Sequence, residues 1–261
     1  VSAARDPWAP TPREVVELSL ATHGRAALST VYDAANLLGV ADQPLRLAIR
    51  RLSEAGIVEQ TGRGRAGSLR STARGRRRAL LDEAYWDFAL RQDAGEPGWD
   101  GLWHLLAFSV PESHRALRDA LRAALSRLGA APLTPGLFVS PHDLSAALEA
   151  EHDGGVGGYL TTATARSVQH AGRPLADVVG DLWPLGALRD AYTDLLGVMD
   201  RWSGPATRGG PAAALAGYVA VHAALERAMG PDPLLPPELL PPDWPGRCAR
   251  DRVRRDWLAP A

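Results

Sequence analysis

Ten arginines fall between Gln43 and Leu80, at positions 46, 50, 51, 63, 65, 70, 74, 76, 77 and 78, against only Glu54 and Glu59. Guanidinium groups at that density bind anions. Their planar fork matches phosphate oxygens, or the edge of a guanine, with two hydrogen bonds at once. Ten arginines less two glutamates put +8 on this segment of a chain whose net charge is −1, so the remainder carries −9. A basic segment on an acidic body suits a protein that meets nucleic acid with one face and keeps the rest off the duplex. The chain has no lysine, so position carries more information here than the choice of arginine.

The spacing of these arginines dictates the elements that must hold them. Thr11-Pro12-Arg13-Glu14 opens a helix as a capping box with proline in the first turn, and the helix is expected to run to about Thr22 before His23-Gly24 stops it. Ser29 is expected to cap a second helix with Val31, Ala34, Ala35 and Leu38 on its buried stripe. After the turn Gly39-Val40-Ala41, Asp42 is expected to cap a third. There Leu45, Ala48, Ile49 and Leu52 face inward, while Gln43, Arg46, Arg50 and Arg51 lie off that face. Residues 57–61 and 68–71 read as two strands around the tip Gly62-Arg63-Gly64-Arg65-Ala66-Gly67. The order spells a winged helix-turn-helix. Its third helix would read the major groove of an operator, with Arg63 and Arg65 of the wing on phosphates. The RGRRR run, Arg74 to Arg78, would start a connecting helix through Leu81, Ala84, Tyr85 and Phe88.

Beyond this region the residue types exclude more chemistry than they offer. Cys248 is the single cysteine, which rules out a disulfide framework or a cysteine zinc cluster within one chain. His142-Asp143 and His152-Asp153 have metal-ligand types but no i, i+4 pair, and no metal is expected. Gly154 to Gly158 lacks the trailing Gly-Lys-Ser/Thr of a phosphate loop, and no GxSxG elbow or Ser/His/Asp arrangement marks a hydrolase. No catalytic residue, enzymatic activity or cofactor is expected. No run approaches the roughly 18 apolar residues of a membrane span, and the expected location is the cytoplasm.

The length suggests two or three domains. Gln92 to Gly98 reads as a linker. After it come expected strands at 102–110, 137–140 and 156–160 and helices at 111–128 and 144–150, an alternation that points to a small α+β sandwich. Two amphipathic helices follow, across 177–202 and 210–229, the first with Trp183, Leu185, Leu188, Tyr192, Leu195 and Leu196 suited to a core. Arg189 beside Trp183 and Tyr192 combines a cation with apolar and aromatic surface, the types that an aromatic acyl-CoA would require.

Four blocks together resemble the PaaX family of phenylacetic-acid operon repressors: DQPLRLAIRRLSEAGIVE, WDGLWHLLAFSVPE, LRDALRAALSRLGAAPLTPGLFVSP and LPPDWPGRCARDRVRR. The resemblance implies a mainly helical chain with α+β parts. An N-terminal winged helix-turn-helix (1–73) would be joined by a connecting helix and linker (74–98) to a central ferredoxin-like domain (99–170). A C-terminal helical domain (171–261) would serve effector binding and dimerisation. It further implies a homodimeric repressor of a catabolic operon, released from double-stranded DNA by an aromatic acyl-CoA such as phenylacetyl-CoA. The central domain of that family is similar in fold to the small nuclease-like subunit of CRISPR adaptation complexes, which carries an aspartate at the end of its first strand. Here that stretch is Phe108-Ser109-Val110-Pro111, and a serine hydroxyl does not supply the anionic oxygen a divalent metal needs. The competing classes are an acyl-CoA-metabolising enzyme fused to a basic domain and a ligand-independent architectural DNA binder. The first would require a convergent catalytic set, and the second has no use for some 170 further patterned residues.

Overall fold

The computed structural model describes residues 9–21, 23–96, 98–151, 157–203 and 209–257, with backbone alone for 76–84 and 151. In chain order the elements are α1 (Pro12–Leu18), β1 (Arg25–Ala27), α2 (Leu28–Leu37), α3 (Asp42–Glu54), β2 (Val58–Thr61), β3 (Ser68–Ser71) and α4 (Ala73–Asp93). Then follow β4 (Trp103–Phe108), α5 (Arg115–Arg127), β5 (Ala131–Thr134), β6 (Leu137–Ser140), α6 (Ser145–Glu151) and β7 (Leu160–Ala165). The chain continues with β8 (Gln169–His170), β9 (Arg173–Pro174), α7 (Val179–Leu182), α8 (Leu185–Trp202), α9 (Pro211–Met229) and α10 (Pro245–Asp256). The architecture is α+β, mainly helical with small antiparallel sheets. The chain divides into one unit of residues 1–90, 190–229 and 245–261 and another of 91–189 and 230–244. Residues 171–261 thus contribute to both.

In the first unit, α1 begins at the expected capping box: Glu14 N–H donates to Thr11 Oγ1 (3.2 Å) and Thr11 N–H to Glu14 Oε2 (2.6 Å). It stops at Leu18, earlier than the apolar pattern implied. Ser19 Oγ–H donates back to the Val15 carbonyl (2.6 Å), and Gly24 in the left-handed region closes the turn. Neither expected cap forms at the next two helices. Ala27 and Ala41 occupy the cap positions in extended conformation, while Ser29 and Asp42 already lie within the first turns. The reason is local. Residues 25–27 are drawn into an unanticipated strand, β1, paired with β3, and α2 starts directly from it with Leu28 N–H donating to the Gly67 carbonyl (2.9 Å). At its other end α3 closes with a Schellman pattern, Ile57 N–H to Leu52 O and Gly56 N–H to Ser53 O, with Gly56 at φ +66°.

The three-stranded sheet has order β1-β3-β2, and the β2–β3 hairpin pairs Val58 with Ser71 through Thr61 with Ser68. Gly67 is required at the hairpin base, since a Cβ there would lie 2.7 Å from the Thr61 carbonyl oxygen and 2.9 Å from Leu28 Cδ1. The unit's core joins Val15 and Val16 of α1, Leu28, Val31 and Tyr32 of α2, Leu45, Ile49 and Leu52 of α3, and Val58 and Leu69 of the hairpin to Val219 and Ala223 of α9. An alanine-rich helix approaches its neighbours closely, and α9 buries residues around most of its circumference.

In the second unit, β4 and α5, the β5–β6 hairpin, α6 and β7 build a four-stranded antiparallel sheet of order β5-β6-β4-β7. Strand alternation divides its two faces. Leu106 and Phe138 pack with Ala124, Leu125, Leu144 and Leu148 of the helices and their approaches. On the opposite face Trp103, Ala131 and Val139 pack with Leu175, Val178, Val179, Trp183 and Leu235. The third expected strand, 156–160, is displaced. Residues 152–156 lie outside the described residues, and β7 runs from Leu160 to Ala165 through threonines and alanines that carry little apolar signal. Strand β5 was not anticipated; its Pro132 lacks an N–H for a ladder, and β5 is the edge of the sheet, where that loss is tolerated.

Because α9 completes a core built otherwise from the first seventy residues, Val219→Asp is expected to act on that distant segment. An unpaired carboxylate in place of the fully buried Val219 should lower unfolding free energy by about 3–5 kcal/mol. Urea denaturation followed by hydrogen exchange at α1–α3 amides measures it; protection retained in those helices would contradict the shared core.

Candidate nucleic-acid interface

Helix α3 presents its charge because its apolar residues recur at 45, 49 and 52 and are buried, which turns Gln43, Arg46, Arg50 and Arg51 to solvent. The Arg46 and Arg50 side chains are 70% and 69% exposed, so their pairs with Asp42 and Glu54, both at 3.8 Å along the helix, contribute little and are easily exchanged for another anion. Arg51 and Arg63 have no ion-pair partner among the described residues. Arg70 spends its charge within the hairpin on Glu59 (2.5 Å), and Arg74 donates to the Ala55 carbonyl (3.4 Å). Of Arg76, Arg77 and Arg78, and of Leu81 and Ala84 in the expected connecting helix, the structure describes the backbone, within α4, and not the side chains.

At the hairpin tip Arg63 and Arg65 behave differently. Arg63 is exposed. Arg65 forms a hydrogen-bonded ion pair with Asp33 of α2, lies 3.8 Å from Asp42 at the start of α3, and sets its guanidinium 5.6 Å from the centroid of the Tyr32 ring. Arg46 approaches the same ring at 6.0 Å. Sequence spacing placed Asp33 on no functional face, since its partner is 32 residues away.

The residues considered for an effector do not form one cluster within either unit. Trp183, in the second unit, is a core side chain. It stacks on Trp103 (6.4 Å between centroids, 20° between planes), and its Nε1–H donates to the Gly129 carbonyl (2.9 Å). Arg189, also there, makes a two-pronged pair with Asp243 (2.6 and 3.0 Å), which holds that carboxyl below its ordinary value. Tyr192 belongs to the first unit and is fully buried; Arg250, itself 3% exposed, donates to its hydroxyl (2.6 Å) with the guanidinium 5.4 Å from the ring centroid. Two cavities open on the second unit. One of about 430 Å³ is lined by Arg122, Ser126, Leu133 and Phe138 among others, and one of about 250 Å³ by His104, Asp143, Ser145 and Thr162 among others. Neither is lined by Trp183 or Arg189.

Among the described residues, no group of three or more His, Cys, Asp or Glu is placed to hold a metal ion. His142 uses Nε2 on the Leu234 carbonyl (2.7 Å), Asp143 accepts from the Ser145 N–H, and His152 and Asp153 lie outside the described residues. Cys248 is exposed on α10. At the strand end considered for metal-dependent cleavage, Ser109 is exposed and its N–H donates to the Tyr159 carbonyl (3.1 Å).

With this geometry, the chain is of the class that joins a basic helix-and-hairpin surface to α+β and helical segments. It belongs to the PaaX family: residues 96–176 match the PaaX protein central Cas2-like domain, and residues 183–256 match the PaaX-like protein C-terminal domain. Among solved structures it is similar to the uncharacterized protein Rv0674 from Mycobacterium tuberculosis, with 28% identity over 92% of each chain and a TM-score of 0.58. No curated protein matches the chain. Residues 1–95, which hold the exposed arginines, lie outside both matched segments.

Two measurements test the polar core around these sites. Tyr192→Phe removes one acceptor from a buried guanidinium and should lower stability by about 1–3 kcal/mol in chemical denaturation; an unchanged midpoint would show that the hydroxyl bond is dispensable. Burial also pushes His142 and His222 below the ordinary histidine value. His222 Nδ1 faces the Tyr218 carbonyl (2.9 Å), while Nε2 has no partner among the described residues. The depressed value means that the unfolded chain takes up the proton first. The stability tied to each neutral ring is therefore present above about pH 6.5 and declines as pH falls through that value, by up to about 1.4 kcal/mol per pH unit for each histidine. His222→Gln, which keeps a donor for Tyr218, should flatten the slope of unfolding free energy between about pH 6.5 and 5.

Proposed function

We propose that this protein is a DNA-binding transcription regulator, a homodimeric repressor of a catabolic operon that an aromatic acyl-CoA releases. The observation that carries the reading is the exposed arginine face of α3, set opposite its buried leucines and isoleucine and flanked by a glycine-rich hairpin bearing Arg63. Membership of the PaaX family supports it. On this reading α2, the turn at Gly39 and α3 form a helix-turn-helix and β2–β3 its wing, with Gln43, Arg46, Arg50 and Arg51 reaching base edges and phosphates. The sheet order β5-β6-β4-β7, antiparallel throughout with two β-α-β crossovers, supports a ferredoxin-like central domain.

Dimerisation follows from the size of the target. One helix of this length reads a short half-site, and two related by a twofold axis read successive major grooves about 34 Å apart. Release requires an effector that favours a conformation in which the two recognition helices no longer match that spacing. A tenfold loss of affinity needs only about 1.4 kcal/mol of coupling, which is reciprocal between effector and DNA. Trp183 and Tyr192 serve as core residues of separate units, so their part in effector binding would be indirect; Arg189 remains the accessible cation of the three. Catalysis is no part of this reading, and a cytoplasmic location accords with it. No described helix is long and apolar enough to cross a membrane.

The test is a mobility-shift titration of the full chain on the DNA upstream of its own gene, with and without phenylacetyl-CoA and related thioesters. Wild type should bind and the aromatic thioester should weaken binding tenfold or more. Arg46→Ala with Arg50→Ala should weaken binding and relax base preference, since each two-pronged arginine–guanine contact is worth about 1–3 kcal/mol. Unchanged affinity in the double variant would remove α3 as the reading helix, and indifference to every thioester would remove the effector class.

A further inference from the structure

Two carboxylates stand where a surface that meets phosphates should avoid them. Asp33 projects from α2 and Asp42 from the first turn of α3, with side chains 51% and 37% exposed. Left alone they would repel the DNA backbone. Both instead face Arg65, at the tip of a hairpin whose strands are only four residues long and whose turn contains Gly62 and Gly64 in the left-handed region. A Cβ on Gly64 would meet nothing within 4 Å, so packing does not fix that part of the turn. The backbone bond from Leu28 to Gly67 secures the hairpin base, the tip is closed on itself by Gly67 N–H donating to the Gly64 carbonyl (3.2 Å), and Arg65 supplies its side-chain link to α2 and α3.

We propose that Arg65 is a positioning residue and not a DNA contact: held by Asp33 and Asp42 over the Tyr32 ring, it fastens the hairpin tip to α2 and to the start of α3. This rests on the DNA-binding reading of α3 and the hairpin, and it names how that surface is preorganised. The tether also reaches α3's own arginines. Asp42 pairs with Arg46 as well as Arg65, and the two guanidinium groups share the Tyr32 ring, at 6.0 and 5.6 Å. Tyr32 is 5% exposed and belongs to the core, so the ring is a rigid platform for both. Hairpin position and Arg46 orientation are therefore coupled, and the cation left for phosphate at the tip is Arg63. A guanidinium engaged by a carboxylate and an aromatic face loses less side-chain freedom when DNA arrives than one that must be ordered on binding.

The sign of one substitution separates this proposal from the simpler one in which Arg65 meets phosphate. Removing a carboxylate from a DNA-facing surface ordinarily strengthens binding, and freeing a phosphate-contacting arginine would strengthen it further. With Arg65 as a tether, Asp33→Asn should weaken binding, about fivefold, to a duplex enriched from a random pool by the full-length wild type. Arg65→Gln should weaken it similarly, and the double variant should be no worse than either single, as expected of two residues that act as one unit. A second readout does not involve DNA: amide exchange across residues 62–67 should accelerate in both single variants of the free protein. Equal or tighter binding by Asp33→Asn, additive losses in the double variant, or unchanged exchange at the tip would each overturn the tether. If the wild type enriches no duplex, the DNA-binding reading falls, and the exchange measurement alone then upholds or overturns the fastening of the tip.

Discussion

The contact between α9 and the helices α1 and α2 is the constraint on which the first unit depends. Three short helices and a three-stranded sheet of three- and four-residue strands enclose too little apolar surface to be secure alone. Val219 and Ala223 close that core from positions at least 150 residues beyond Leu69, the last of its other members. Closing so long a loop adds little entropy per added residue, because the cost grows only with the logarithm of length. The arrangement therefore gains a fourth helical wall at modest expense. Its consequence is that the surface carrying Arg46 and Arg50 is supported by a helix within the segment that matches the family's C-terminal domain.

Charge on this surface is sorted by what each guanidinium already holds. Arg70 is matched across the hairpin by Glu59, and Arg65 by Asp33 and Asp42, so neither can be counted simply as cation offered to a ligand. The ion pairs of Arg46 and Arg50 are long, exposed and intrahelical, while Arg51 and Arg63 have no ion-pair partner among the described residues. A sum of +8 over residues 43–80 thus overstates what meets an anion and says nothing of direction. Burial of Leu45, Ile49 and Leu52 sets the direction, and the partner carboxylates set the number.

Aromatic and cationic residues in the body follow the same logic. Trp183, Arg189 and Tyr192 lie within ten positions of one another, and helical spacing invites grouping them. Trp183 and Tyr192 instead serve two different cores, each within its own unit: Trp183 precedes α8 and turns into the sheet core, whereas Tyr192 is buried beneath Arg250. Arg250 was not singled out from the sequence. A buried arginine in an otherwise arginine-rich helix such as α10 looks no different from its solvated neighbours until its partner Tyr192, 58 positions earlier, is known.

The sequence by itself determined the periodic and locally capped parts: the capping box of α1, the inward face of α3, the glycine-rich tip between two strands, and the family blocks of the central and C-terminal segments. These depend on residues within a turn or two of one another, whose spacing is printed in the chain. Only the tertiary structure decided the rest. Strand β1 exists because β3 offers it a partner, β5 tolerates Pro132 because it is an edge, and β7 is a strand of threonine and alanine because β4 lies beside it. The Arg65–Asp33 pair and the packing of α9 on α1 and α2 belong with these. Each is an interaction between residues far apart in sequence, and its energy depends on a distance that no local pattern of residue types encodes.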